Sequence, residues 1–160
     1  KNNIRVEAFG TVDELVSSLG FAKTLSEKED VIDFLEMLQH SLFKIGAELS
    51  SDSNKTDKII NVITEKDVKE IESIIDSITE KIDLGNEFIM PGTSSSSAAI
   101  DISRTVARRL ERIVVSINSN EKINKNILIF LNRISDLLFV IGRYEDEGKN
   151  IKKIRGIRKK

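Results

Sequence analysis

The chain has 160 residues, 39% of them apolar and 32% charged, with a net charge of −1. That length and balance define one globular domain with a real core and give no basic excess to mark nucleic acid as the partner. With no Cys there is no disulfide framework, thiolate zinc site, catalytic thiol or iron–sulfur cluster. No apolar run approaches the ~20 residues of a membrane span. The opening Lys1-Asn2-Asn3 carries no apolar signal segment, so a cytoplasmic domain is expected. The first residue is not Met, which leaves open a functional segment encoded before Lys1.

Helical spacing dominates. Thr11-Val12-Asp13-Glu14 reads as a capping box, followed by an apolar stripe of Leu15, Val16, Leu19 and Ala22 to about Thr24. Ser26-Glu27-Lys28-Glu29 is a second box, opening a longer helix through Val31, Leu35, Leu38, Leu42, Ile45 and Leu49. Residues 50–61 are polar and read as a loop. A third helix is expected from near Thr64 to about Ile82, with an acidic outer face. Residues 83–97 hold the only Pro and a four-serine run, and helices over 98–118 and 124–145 follow. Residues 149–160 form a basic tail expected to fray. Five helices without a strand pattern predict an all-α five-helix bundle with near-antiparallel, up-and-down packing. Residues 1–148 would be the single domain.

The fourth helix carries the chemistry. On a helical wheel Ala99, Ile102, Val106, Leu110, Ile113 and Ile117 face the core. Asp101, Arg104, Arg108, Glu111 and Arg112 lie opposite, with Arg109 at the border. A solvated face is the ordinary meaning of such a stripe. The chain, however, uses 16 Lys and 9 Arg, and four of those Arg fall between positions 104 and 112 with no Lys among them. Arg is preferred where a planar fork grips carboxylate or phosphate. The preceding Pro91-Gly92-Thr93 and serine run offer amides and hydroxyls at a helix N-terminus, a favourable place for an anion or else a plain capping loop.

The last helix is apolar almost all round, except for a stripe of Asn132, Asp136 and Arg143 with Phe139 between them. These polar groups either satisfy one another or serve a site, and Asp136 could hold an Arg of the neighbouring helix. Asp13 and Glu14 suit a helix N-terminus. His40, the only His, reads as structural. There is no Glu-x-x-His pair, Walker A loop or dinucleotide Gly fingerprint.

Four segments carry a resemblance. They are Arg5-Val6-Glu7-Ala8-Phe9-Gly10-Thr11-Val12-Asp13-Glu14-Leu15, Phe88-Ile89-Met90-Pro91-Gly92, the stretch from Ser103 to Arg112, and the stretch from Leu131 to Phe139. In order and spacing, over most of the chain, they resemble the PduO-type ATP:cob(I)alamin adenosyltransferases. The resemblance implies a homotrimer with active sites between subunits, binding ATP and a reduced corrinoid, with Mg²⁺ on the phosphates and a reductase as partner. It implies that cob(I)alamin attacks the 5′ carbon of ATP, so the protein need supply no nucleophile. Arg104 would pair with Asp13 of an adjacent subunit. Arg108 with Asn132 would hold the nucleotide and its developing charge. Glu111 would contact the nucleotide or its metal ion, supported by Arg109 and Arg112. Phe88 and Phe139, beside Asp136, would line the corrinoid and keep axial ligands from cobalt. No metal ligand from the protein is expected.

The sequence departs from the family in three places. No Thr-Gly-Asp-x-Gly-type phosphate loop is present from Lys1 onward, Thr93 replaces the usual second Gly, and Asp101 stands where a His is common. The rival expectations are a non-catalytic module that binds a partner through the Arg face, and a regulatory relative that binds ATP or corrinoid without turnover.

Overall fold

The computed structural model describes residues 4–50, 61–85 and 87–158, the last four as backbone only. Its elements are α1 (Ile4–Leu25), α2 (Glu29–Ser50), α3 (Glu65–Thr79), β1 (Glu87–Ile89), α4 (Ser95–Asn118), α5 (Lys125–Glu145) and β2 (Lys153–Arg158). Among the described residues five helices are therefore present, as expected. A short connection at 26–28 turns α2 back along α1, while α4 packs on both α1 and α5, and α3 packs on α5. The core runs along these seams, with Leu15, Leu38, Ile45, Leu110, Phe130 and Leu138 fully buried. No helix among the described residues is long and apolar enough to cross a membrane.

The helix boundaries correct the sequence reading at several points. α1 begins at Ile4, so Thr11 is no cap: it is buried, and its hydroxyl donates to the Glu7 carbonyl at 2.8 Å. A Thr that bonds back one turn can stay inside a helix. Ser26 likewise does not cap α2, because its hydroxyl donates back to the Ala22 carbonyl at 3.2 Å and closes α1 instead. The real boxes lie elsewhere. Thr64 and Asp67 cap α3, and Ser94 and Ser97 cap α4 three residues before the expected start. Of the expected loop at 50–61, Ser50 ends α2, Asn61 lies just before the α3 cap, and residues 51–60 lie outside the described residues.

The wheel of α4 also shifts. Ile102, expected in the core, is 58% exposed, and Asp101, expected outside, is 5% exposed. Because α4 packs on α1 and on α5, its buried arc is wider than one stripe and takes in Asp101, which faces α5. Gly142 lies at this seam, where a Cβ would meet Ile100 at 3.4 Å, an ordinary van der Waals contact.

Within the basic tail expected to fray, residues 153–158 form a strand instead. β2 pairs antiparallel with β1, matching Phe88 to Ile154 and Ile89 to Lys153, and the Met90 amide continues the ladder by donating to the Lys152 carbonyl at 2.9 Å. Neither strand shows clean alternation, since β1 has three residues and β2 is interrupted by Gly156. The pairing clamps the strand that carries Phe88 and leads into the Pro91-Gly92 turn.

Candidate active site

Gly92 has φ +95°, a left-handed conformation that suits Gly, and it redirects the chain from β1 into the α4 cap. The serine run then turns inward. Ser94 Oγ donates to Asp146 Oδ1 at 2.7 Å and Ser96 Oγ to Glu145 Oε2 at 3.2 Å. The positive end of the α4 dipole is thus met by two buried carboxylates of the chain itself, and the hydroxyls tie α4 to the end of α5. A groove of about 310 Å³ lies beside this turn, between Pro91 and Gly92 on one wall and Asp101, Ile102, Arg104 and Thr105 on the other.

The arginines of α4 fall into two groups. Arg104 donates from Nε to Asp101 Oδ1 at 3.3 Å, and Arg109 bonds Glu14 of α1. The side chains of Arg108 and Arg112 are exposed and have no partner among the described residues. Between these two, one turn up, Glu111 accepts from Asn132 Nδ2 at 2.9 Å, a bond that fixes α5 to the arginine face. Asp13 is also exposed and without an ion-pair partner among the described residues.

On α5 the polar stripe divides. Asn132 reaches α4, whereas Asp136 accepts from Arg133 Nη1 of its own helix at 3.0 Å, and Arg133 Nε donates to Glu72 of α3 at 2.9 Å. Asp136 therefore holds no arginine of α4: Arg133, three residues before it on the same helix, engages it instead. The bonds to Glu72 and Asp136 raise the Arg133 pKa above its ordinary value. Arg143 turns inward, 3% exposed, and donates from Nη2 to Asp101 Oδ2 at 2.6 Å. Its guanidinium carbon lies 5.6 Å from the centre of the half-buried Phe139 ring. Phe88 is 43% exposed on β1. His40 is an exposed side chain 3.9 Å from Glu36. Among the described residues no group of three His, Asp or Glu is placed to hold a metal ion.

The buried acids Glu145 and Asp146 were not anticipated. One signal pointed to them: consecutive acids at the C-terminal end of an apolar helix oppose its dipole, so they require a partner.

This is a helical-bundle protein whose α4 presents two arginines without a partner among the described residues. The profile of the family described as cobalamin adenosyltransferase matches residues 1–145. A corrinoid adenosyltransferase of Citrobacter freundii is 36% identical over 146 residues, covering 91% of this chain and 83% of that protein. One of Bacillus subtilis is 37% identical over 147 residues, covering 89% and 75%. Among solved structures, a variant PduO-type ATP:corrinoid adenosyltransferase from Lactobacillus reuteri, complexed with cobalamin and ATP, superposes with a TM-score of 0.90. It shares 32% sequence identity, over 98% of this chain and 86% of that one. The chain belongs to the cobalamin adenosyltransferase family.

Proposed function

We propose that the chain transfers the 5′-deoxyadenosyl group of ATP to the Co(I) centre of a reduced corrinoid, giving adenosylcobalamin and triphosphate. The electron pair of cobalt forms the bond to C5′ while the C5′–O bond breaks, and the leaving electrons stay on triphosphate. The protein's task is then to hold two substrates in line and to stabilise charge on the leaving group. The observation that carries this reading is the pair of uncommitted arginines, Arg108 and Arg112, flanking the preset Glu111–Asn132 bond.

In this reading Arg108 and Asn132 hold the nucleotide, with Glu111, Arg112 and Arg109 in support. Asp13 of the partner subunit meets Arg104, and this contact completes a homotrimer with intersubunit sites. Phe88 and Phe139 face the corrin, with Asp136 at its edge, and their apolar surfaces exclude axial ligands. Mg²⁺ fits the single carboxylate on the arginine face as an ion delivered on the nucleotide phosphates, since Mg²⁺ commonly takes one or two protein carboxylates and keeps phosphates and waters. Residues 1–148 form the transferase unit and 149–160 its basic tail. The reaction runs in the cytoplasm beside a reductase that supplies the reduced corrinoid.

The test is anaerobic mixing of the full gene product with chemically reduced cobalamin and MgATP. Loss of the Co(I) absorbance with equimolar adenosylcobalamin and triphosphate is expected. A folded protein that binds both ligands and converts neither would make it a regulatory relative instead.

A further inference from the structure

Asp101 has no part in the transfer chemistry above, yet it is buried between two arginines. One carboxylate oxygen accepts from Arg143 Nη2 at 2.6 Å and the other from Arg104 Nε at 3.3 Å. Two features separate this from a pair that merely fastens α4 to α5. Arg104 is engaged through Nε alone, so both terminal nitrogens stay uncommitted at the groove beside Pro91 and Gly92. They form a fork whose stem is held and whose tines are free. The anchor is also buried: Arg143 is 3% exposed, 5.6 Å from the centre of the Phe139 ring, and 3.8 Å from Asp146. An arginine ordered before its ligand arrives avoids the entropy loss that a free side chain incurs on binding.

We infer that Asp101 is a positioning residue: braced by Arg143, it presets the Arg104 fork for a carboxylate that a second copy of the chain brings to the groove. The use of that fork rests on the transferase reading. The presetting does not, and it has its own readout. The arrangement also runs from Phe139 on α5 through Arg143 and Asp101 to Arg104 on α4, so one contiguous set of contacts links a residue assigned to the corrinoid with one assigned to the subunit contact.

The experiment is a double-mutant cycle of Asp101→Asn and Arg104→Ala, read in kcat/KM for ATP, in self-association by sedimentation, and in melting temperature. If Asp101 acts through Arg104, Asp101→Asn weakens turnover and self-association about tenfold in the wild-type background and less than about twofold when Arg104 is Ala. The melting temperature falls equally in both. Equal losses of rate and association in both backgrounds would leave Asp101 a fold-holding residue and overturn the inference.

The second readout is the ¹⁵N spectrum of the Arg Nε–Hε groups, with Arg104 assigned by its disappearance in Arg104→Lys. A slowly exchanging Arg104 signal that is lost in Asp101→Asn is expected. Fast exchange in the wild type sinks the presetting whatever the activity. A protein with the protected signal and no turnover loses the transferase reading alone. Arg143→Lys, which keeps the charge and loses the fork, should reproduce the coupling. If neither Asp101→Asn nor Arg143→Lys folds, the pair holds the fold and the inference falls.

Discussion

The α2–α3 end of the bundle and the outer face of α4 use charge in opposite ways. At the first, each charge near the core is answered within the chain. Glu48, 9% exposed, accepts from the Ile63 amide at 2.7 Å and from Asn124 Nδ2 at 3.0 Å. Asp67 accepts from Lys44 Nζ at 2.9 Å and from the Thr64 amide at 2.8 Å. At the second, the side chains of Arg108 and Arg112 have no partner among the described residues, although Glu111 lies between them in sequence. Satisfied charges hold a fold, and in the proposed transferase reading the unpaired arginines are the ones available to a ligand. The comparison predicts that substitutions at the two ends separate stability from activity.

The largest effect should fall on the open face. Arg108→Ala is expected to lower turnover at least ~10²-fold, the usual scale for a lost charge-stabilising donor, with an unchanged melting temperature. A nearly wild-type rate would remove Arg108 from the mechanism and return the arginine face to a solvated surface. Next comes Phe88→Ala on the exposed strand β1, where ATP affinity should persist while corrinoid affinity falls by about tenfold, the scale of a lost aromatic contact. Equal loss of both ligands would mean that the strand shapes the whole groove.

Arg108 was readable because spacing and residue type point the same way there, whereas Phe88 entered only through the resemblance of the segment from Phe88 to Gly92. Arg at 104, 108 and 112 forms one stripe with Arg109 at its border, and the greasy last helix marks itself as central. Helix number and the central seam were legible for the same reason. What could not be read was anything decided across elements. Thr11 and Ser26 look like caps locally, but a hydroxyl can equally bond the carbonyl one turn behind it, and continuing helical residues before Thr11 decided the matter. Asp101 and Arg143 are 42 positions apart, and their pairing depends on how α4 and α5 pack against each other. The β1–β2 pair joins three residues to a tail more than sixty positions away, through backbone groups that leave no side-chain pattern.

At the satisfied end the expected effects are on stability alone. Glu48→Ala leaves the Ile63 amide without its acceptor and should cost about 2 kcal/mol in denaturant unfolding, within the range for an orphaned buried donor. kcat for the transfer should stay within about twofold of wild type, since the site is assigned to α4 and to faces away from this contact. An intact stability would mean that solvent reaches the Ile63 amide, and the contrast between the two ends would weaken.

The smallest effect has the clearest sign. Partial burial tends to raise the Asp67 pKa, but hydrogen bonds from Thr64 and Lys44 outweigh it and hold the group at about 2, below the ordinary 3.8. A carboxylate with a depressed folded-state pKa binds its proton more readily in the unfolded chain. Its contribution is therefore complete above the unfolded value and disappears as pH falls through the folded one. Asp67→Asn keeps a capping side chain and removes the charge, so wild type should exceed the variant by about 1 kcal/mol at pH 7, the scale of a cap contact. The gap should hold to about pH 4 and shrink toward pH 2, as seen by urea unfolding across that window. A gap that stays constant down to pH 2 would show that the Lys44 and Thr64 bonds do not stabilise the ionised form, and that this end of the bundle owes its stability to packing instead of charge.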